Sequence, residues 1–203
     1  AKGAVVVYSN PKSPASVRTE DLYHYGDISL VDHINGNDIY YDVFSFFQVN
    51  LEIFESAMGA IDSFVGADPV IDLYSGVGTI GLSSIAGTTH VVESDPSNII
   101  WAQKNVATKP VKVIHASSEA VLDYIDDSHT IIVDPPRAGL HAHLTQRLLE
   151  VKPPKIVYLS CNPSTQARDL SLLQDAYKIR SLQGYNFFPR TPHIESLAVL
   201  VRE

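Results

Sequence analysis

The sequence predicts an α/β protein with a doubly wound, mostly parallel sheet and a small β lobe in front of it. Two patterns carry this expectation. From about residue 65 onward, short β-branched runs alternate with amphipathic stretches of helical length, the signature of strands buried on both faces by helices. A glycine-rich turn, Gly76-Val77-Gly78-Thr79-Ile80-Gly81, follows the first of those runs, where such folds turn from strand into helix. The division expected is residues 1–45 for the β lobe and 46–203 for the sheet domain.

The opening residues hold β-like runs at Ala4–Tyr8, Ile28–Ile34 and Asp38–Val43, broken at Asn10-Pro11, Ser13-Pro14 and Gly36-Asn37. Ile34-Asn35-Gly36-Asn37-Asp38 reads as a hairpin turn. Between 49 and 65, Ile53, Ala57, Ile61 and Phe64/Val65 fall on one helical face. Strands are then predicted at Val70–Tyr74, His90–Glu93, Lys112–His115, Thr130–Asp134 and Lys155–Ser160. Helices are predicted near 79–86, 96–107, 118–125, 141–150 and 164–175, and two β runs near 178–187 and 196–202 close the chain. There is no internal repeat and no low-complexity tract.

Composition narrows the class. Hydrophobic residues make up 45% and charged residues 19% of the 203 positions, as in a globular domain. The longest apolar runs, such as Leu197–Val201, are far too short to cross a bilayer. No secretory leader opens the sequence, and the single cysteine, Cys161, excludes an internal disulfide or a multi-cysteine metal or iron–sulfur site. A cytoplasmic, monomeric protein without a metal is expected. The 15 basic residues face 23 acidic ones, giving a net charge of −8. Phosphate contacts need Lys or Arg, so a nucleic-acid substrate requires either a local basic patch or a grip supplied elsewhere.

In open α/β sheets ligands bind beyond the carboxyl ends of the strands, so the residues that follow each strand are the candidates. The glycines after the first strand permit close approach of a nucleotide-like ligand, and by themselves also match a dinucleotide fingerprint. Asp72 lies four positions before the first loop glycine, an arrangement common to class I S-adenosylmethionine methyltransferases. Glu93, at the end of the second strand, suits a ribose diol in either kind of ligand.

The later strands carry reactive groups. Asp134-Pro135-Pro136-Arg137 is a stiff segment that holds a carboxylate in place. Amino-group methyltransferases carry a similar Asp-Pro-Pro followed by an aromatic residue; Arg137 in that position speaks against amino methylation. Cys161 follows the next strand, just before a helix start, where a thiolate is favoured. Glu195 enters the last β run from the proline-punctuated loop Phe188–Ile194 and is placed to face the same crevice. Phe46-Phe47-Gln48-Val49-Asn50 sets two amides at the start of the long helix, where packing explains the aromatics more readily than the amides.

These blocks, with Ser160-Cys161-Asn162-Pro163 and His193-Ile194-Glu195-Ser196, resemble in order the RNA (uracil-5-)-methyltransferase family, which acts on transfer RNA and large-subunit ribosomal RNA. The likeness runs from about residue 40 to the end. It implies S-adenosylmethionine as methyl donor, held by Gln48, Tyr74, Glu93 and Asp134, with Thr79 and Ser117 as further contacts. It implies Cys161 as the nucleophile and Glu195 as the base that takes the carbon 5 proton. The substrate implied is tRNA or rRNA with a flipped or looped uridine.

Family members commonly carry an RNA-binding β-barrel, and some an iron–sulfur cluster; these 203 residues match neither, as a catalytic fragment or a short member would. The competing readings are an amino methyltransferase acting on nucleic acid, a dehydrogenase, which only the glycine loop supports, and a non-catalytic RNA- or protein-binding module on the same fold.

Overall fold

The structure is a computed structural model and describes residues 2–10, 18–83 and 87–203. In chain order the strands and helices are β1 (Gly3–Ser9), β2 (Arg18–Gly26), β3 (Ser29–Ile34), β4 (Asn37–Asp42), α1 (Leu51–Val65), β5 (Val70–Leu73), α2 (Thr79–Ser83) and β6 (Thr88–Glu93). There follow α3 (Pro96–Val106), β7 (Lys112–His115), β8 (Thr130–Val133), α4 (Ala142–Val151), β9 (Lys155–Ser160), α5 (Pro163–Leu173), β10 (Tyr177–Tyr185) and β11 (Glu195–Arg202).

Seven strands form one sheet in the order β10-β11-β9-β8-β5-β6-β7. β5 to β9 pair in parallel, whereas β11 runs antiparallel to both β9 and β10. The chain moves outward from β5 through β6 to β7, then returns to β8 on the other side of β5. That reversal opens a crevice beyond the ends of β5 and β8.

Alternation along the strands splits the core between two faces. Ile71, Leu73, Ile131, Val133, Ile156 and Tyr158 pack with α4 and α5. Val70, Ile132, Val157, Leu159 and Leu197 pack with α1 and with Ile34 and Ile39 of the β3–β4 hairpin. Each four-residue strand β5 and β8 is wholly buried, which explains runs that are apolar throughout rather than alternating.

Several expectations change in detail. The stripe buried by α1 is Phe54, Ala57, Met58, Ile61 and Val65, and Asn50 caps the helix by accepting from the Ile53 amide at 3.4 Å. β5 stops at Leu73 because Tyr74 turns out of the strand with φ +59°. The helix expected near 118–125 is instead two 3₁₀ turns, Ser118–Ala120 and Leu122–Tyr124. Val121 and Ile125 are buried there, and Arg147 of α4 donates to the Leu122 and Ile125 carbonyls at 3.1 and 3.0 Å. Those carbonyls are therefore satisfied without a continuing helix. β2 was not anticipated; its Thr19-Glu20-Asp21 stretch lacks an apolar alternation, and its side chains from Thr19 on are exposed. The breaks expected at Pro11, Ser13 and Pro14 and the end of the helix expected near 79–86 lie outside the described residues.

One buried carboxylate fixes the path that leads to the crevice. Asp169 of α5 is 1% exposed; its Oδ2 accepts from the Leu140 amide and the Tyr158 hydroxyl, both at 2.8 Å. Arg168 donates to its Oδ1 and also to the Ala138 carbonyl. Gly139, at φ +81°, lies so close that a Cβ would meet Asp169 Oδ2 at 2.5 Å. Asp169→Ala would orphan two buried donors, and we expect a loss of about 3 kcal/mol in urea denaturation. Tyr158→Phe, which removes one donor only, should cost about 1 kcal/mol.

Candidate active site

The carboxyl edge of the sheet gathers every residue singled out from the sequence. Gln48, Tyr74, Thr79 and Asp134 line one cleft together with Phe46, Phe47 and the Gly76 loop. Tyr74, Glu93 and Ser117 line a second, with Glu119 and Pro136. Tyr74 lines both, so the two clefts meet at its side chain.

Local hydrogen bonds hold these walls. Glu93 Oε2 accepts from the Gly76 amide at 2.8 Å, and its Oε1 accepts from the amides of Ser94 and Asp95, each at 2.7 Å. The carboxylate thus clasps the glycine loop to the end of β6 and keeps acceptor capacity toward the cleft. The Tyr74 hydroxyl donates to Glu119 Oε1 at 2.8 Å, a contact that nothing in the sequence announces. Gln48 is 7% exposed, and its Oε1 finds no hydrogen-bond partner among the described residues. A buried acceptor without a donor is costly; here it lines a cleft.

Asp72 has a different task from the ring of cleft residues. It is fully buried beneath the loop, where its Oδ2 accepts from the Gly81 amide at 2.9 Å and so anchors the start of α2. Burial, and then repulsion from Glu93, push its carboxyl up to about 7 against the pull of the Gly81 bond.

Cys161 and Glu195 come together through strand pairing. Ser160, the last residue of β9, is the partner of Ser196, and Glu195 is the first residue of β11. Cys161, the next residue along, therefore stands beside Glu195 at the same edge. Glu195 is buried, and burial pushes its carboxyl up to about 7, opposed by the Arg137 guanidinium. Asp134 is raised well above the usual carboxylate range by burial, then by Glu195 and Asp72.

The Cys161 thiol departs from the expectation set by a helix start. Burial first, then Glu195 and Asp134, raise its pKa, while Arg137 draws it down. Desolvation and two neighbouring carboxylates oppose the helix end. Arg137, which the sequence marked only as a departure from amino methyltransferases, is thus the cation that acts on both Cys161 and Glu195. Its carbonyl accepts from Asn162 Nδ2 at 3.0 Å and the Thr165 hydroxyl at 3.1 Å. The Asp134–Arg137 segment is pinned in this way to the N-cap and first turn of α5, just beyond Cys161.

Comparison with known proteins identifies the family of the chain. A tRNA (uracil(54)-C(5))-methyltransferase from Pyrococcus abyssi is 35% identical over 196 residues, spanning 91% of this chain and 47% of its own length. An RNA methyltransferase of uncharacterised role from Mycoplasma mobile is 37% identical over 180 residues, 85% of this chain and 50% of its own. The crystal structure of the Pyrococcus abyssi tRNA (uracil-54, C5)-methyltransferase with S-adenosyl-L-homocysteine superposes with a TM-score of 0.83 at 33% identity, over 98% of this chain and 50% of that one. The chain spans about half the length of these relatives. The pattern of the tRNA (Uracil-5-)-methyltransferase family matches residues 27–203, from the β3–β4 hairpin through the cleft to the last strand, and the chain belongs to that family.

Proposed function

We propose that this chain is the catalytic part of an enzyme that methylates carbon 5 of a uridine in RNA, with S-adenosylmethionine as donor. The observation that carries the reading is the meeting of Cys161 and Glu195 at neighbouring strand ends, beside the cleft that holds Asp134. The Pyrococcus abyssi relative acts on uracil 54 of tRNA, so tRNA is the substrate to try first. Residues 46–203 would form the catalytic domain and residues 1–45 a small β lobe.

The residues present fit the donor. Its ribose diol suits Glu93, with Ser117 beyond it in the same cleft. Its amino-acid end carries an ammonium donor for the orphaned Gln48 oxygen. Its two positive charges suit a crevice in which Asp134 and Glu195 repel one another. Tyr74 and Thr79 complete the walls. When bound, S-adenosylmethionine supplies an electrophilic methyl carbon.

Carbon 5 of uracil is too weak a nucleophile to take that methyl group unaided. The Cys161 thiolate adds to carbon 6, forming a carbon–sulfur bond and moving the double-bond electrons into an enolate centred on carbon 5. After carbon 5 has been alkylated, the Glu195 carboxylate removes its proton. The released electron pair rebuilds the carbon 5–carbon 6 double bond, and the sulfur leaves as thiolate. A carboxyl raised to about 7 accepts a proton far better near neutral pH than an ordinary glutamate does. The target base must leave its stack to reach this edge.

Cys161→Ala should abolish methylation and leave donor binding intact, because the thiolate touches the base alone. Glu195→Gln should instead stall after addition and alkylation, so that a methylated protein–RNA adduct survives denaturing electrophoresis. The double variant should match Cys161→Ala, with neither adduct nor product. Full activity in Cys161→Ala on a competent RNA would overturn the mechanism.

Both working groups function deprotonated, and both are pulled toward that state by Arg137. Methylation should therefore rise with pH through about 7, the value to which Glu195 is pushed, and go on rising as the Cys161 thiol, itself raised by burial, ionises. Arg137→Gln lifts both groups, and should move the rising limb of the pH–rate profile to higher pH. A profile left in place would show that Arg137 does not govern their ionisation.

A further inference from the structure

Helix α3 reaches both walls of the donor cleft through one side chain. Asn105 Oδ1 accepts from the Tyr40 amide at 2.9 Å, and its Nδ2 donates to the Tyr40 carbonyl at 2.9 Å and the Val77 carbonyl at 3.0 Å. One carboxamide uses both its protons and an acceptor to join α3, β4 and the glycine loop.

The two partners lead to opposite walls. Val77 sits between Gly76 and Gly78, whose φ angles are +57° and +86°, so this part of the loop draws little rigidity from its own side chains. Tyr40 lies in β4, and the chain from β4 to Gln48 is pinned along the way. Asp42 Oδ1 accepts from the amides of Phe44 and Ser45 at 2.8 and 3.0 Å, and its Oδ2 accepts from Trp101 Nε1 of α3 at 3.0 Å. Phe46, Phe47 and Gln48 then line the same cleft as Gly76, Val77 and Thr79. A second tie acts as a natural control. Lys109, just past α3, donates to the Leu82 carbonyl and to Asn37 Oδ1. It fastens the same hairpin to the far end of α2, through two residues that do not line the cleft.

We propose that Asn105 is a positioning residue for the methyl donor, setting the spacing between the Phe46–Gln48 wall and the glycine loop. The inference rests on reading that cleft as the donor site. Asn105→Asp keeps the size and replaces the two donated protons with an oxygen that faces two carbonyls. Calorimetry with S-adenosylhomocysteine should show affinity falling about tenfold, the scale of one or two lost buried hydrogen bonds. The KM for the donor should rise in parallel, with kcat at saturating donor unchanged. Lys109→Met should lower the melting temperature yet keep the affinity within about twofold of the wild-type chain. Asn105→Ser, smaller and uncharged, takes the place of Asn105→Asp if the latter fails to fold. Unchanged affinity in the Asn105 variant that folds, or an equal loss in Lys109→Met, overturns the inference while the donor reading stands. Absence of binding by the wild-type chain removes the donor reading, and the inference with it.

Discussion

Strand β11 runs against its neighbour β9, and that reversal shapes the site. Parallel strands deliver only their carboxyl-terminal residues to the functional edge, which is how Tyr74, Glu93, Asp134 and Cys161 arrive there. An antiparallel strand delivers its first residue instead. Pairing of Ser196 with Ser160 therefore brings Glu195 beside Cys161, although 34 positions separate them in the chain. Because side chains alternate along a strand, a slip of one residue in this pairing would turn Glu195 to the opposite face. The position of Glu195 is thus specified by the same register that buries Leu197, Ala198 and Val199.

The second determinant is the cost of burying charge. Asp72, Asp134 and Glu195 lie near one another in a region of low polarity, and each is raised above the ordinary range of its kind. Such a cluster is poorly satisfied by protein alone, since Arg137 is the cation that acts on Glu195 and Cys161. A cationic ligand would complete it.

Much of this was legible in the residues. The parallel strands announced themselves as short β-branched runs, and fold rules assigned the functional edge before any geometry was known. Lys155–Ser160 lies where the pattern put it, and Val70–Leu73 and Thr130–Val133 stop one residue short of it, because tertiary burial and local preference agree. Where the two part, the sequence misled. Val121, Leu122 and Ile125 have helical spacing, yet Arg147 satisfies the carbonyls and two 3₁₀ turns result. In the strand Arg18–Gly26 the side chains from Thr19 on are exposed, so no buried face imprints a period on them. The helix start beside Cys161 is visible in sequence, whereas Glu195 and Asp134, which oppose thiolate formation there, are brought near it only by the fold. Contacts such as Tyr74 to Glu119 and Asn105 to Tyr40 join residues 45 and 65 positions apart, and no local signal marks them.

The proposed chemistry requires the Cys161 sulfur to bond to carbon 6 of the target uridine and to leave only once carbon 5 has lost its proton. RNA in which uridines are replaced by 5-fluorouridine tests it directly, because fluorine at carbon 5 cannot be removed as a proton. The chain should be incubated at low salt with S-adenosylmethionine and a fluorinated tRNA transcript, then digested and sequenced by tandem mass spectrometry. The account predicts a nucleotide carrying both fluorine and a new methyl group, attached to the peptide that contains Cys161. Methylation of the unfluorinated transcript at carbon 5, with no adduct on Cys161 from the fluorinated one, would contradict it.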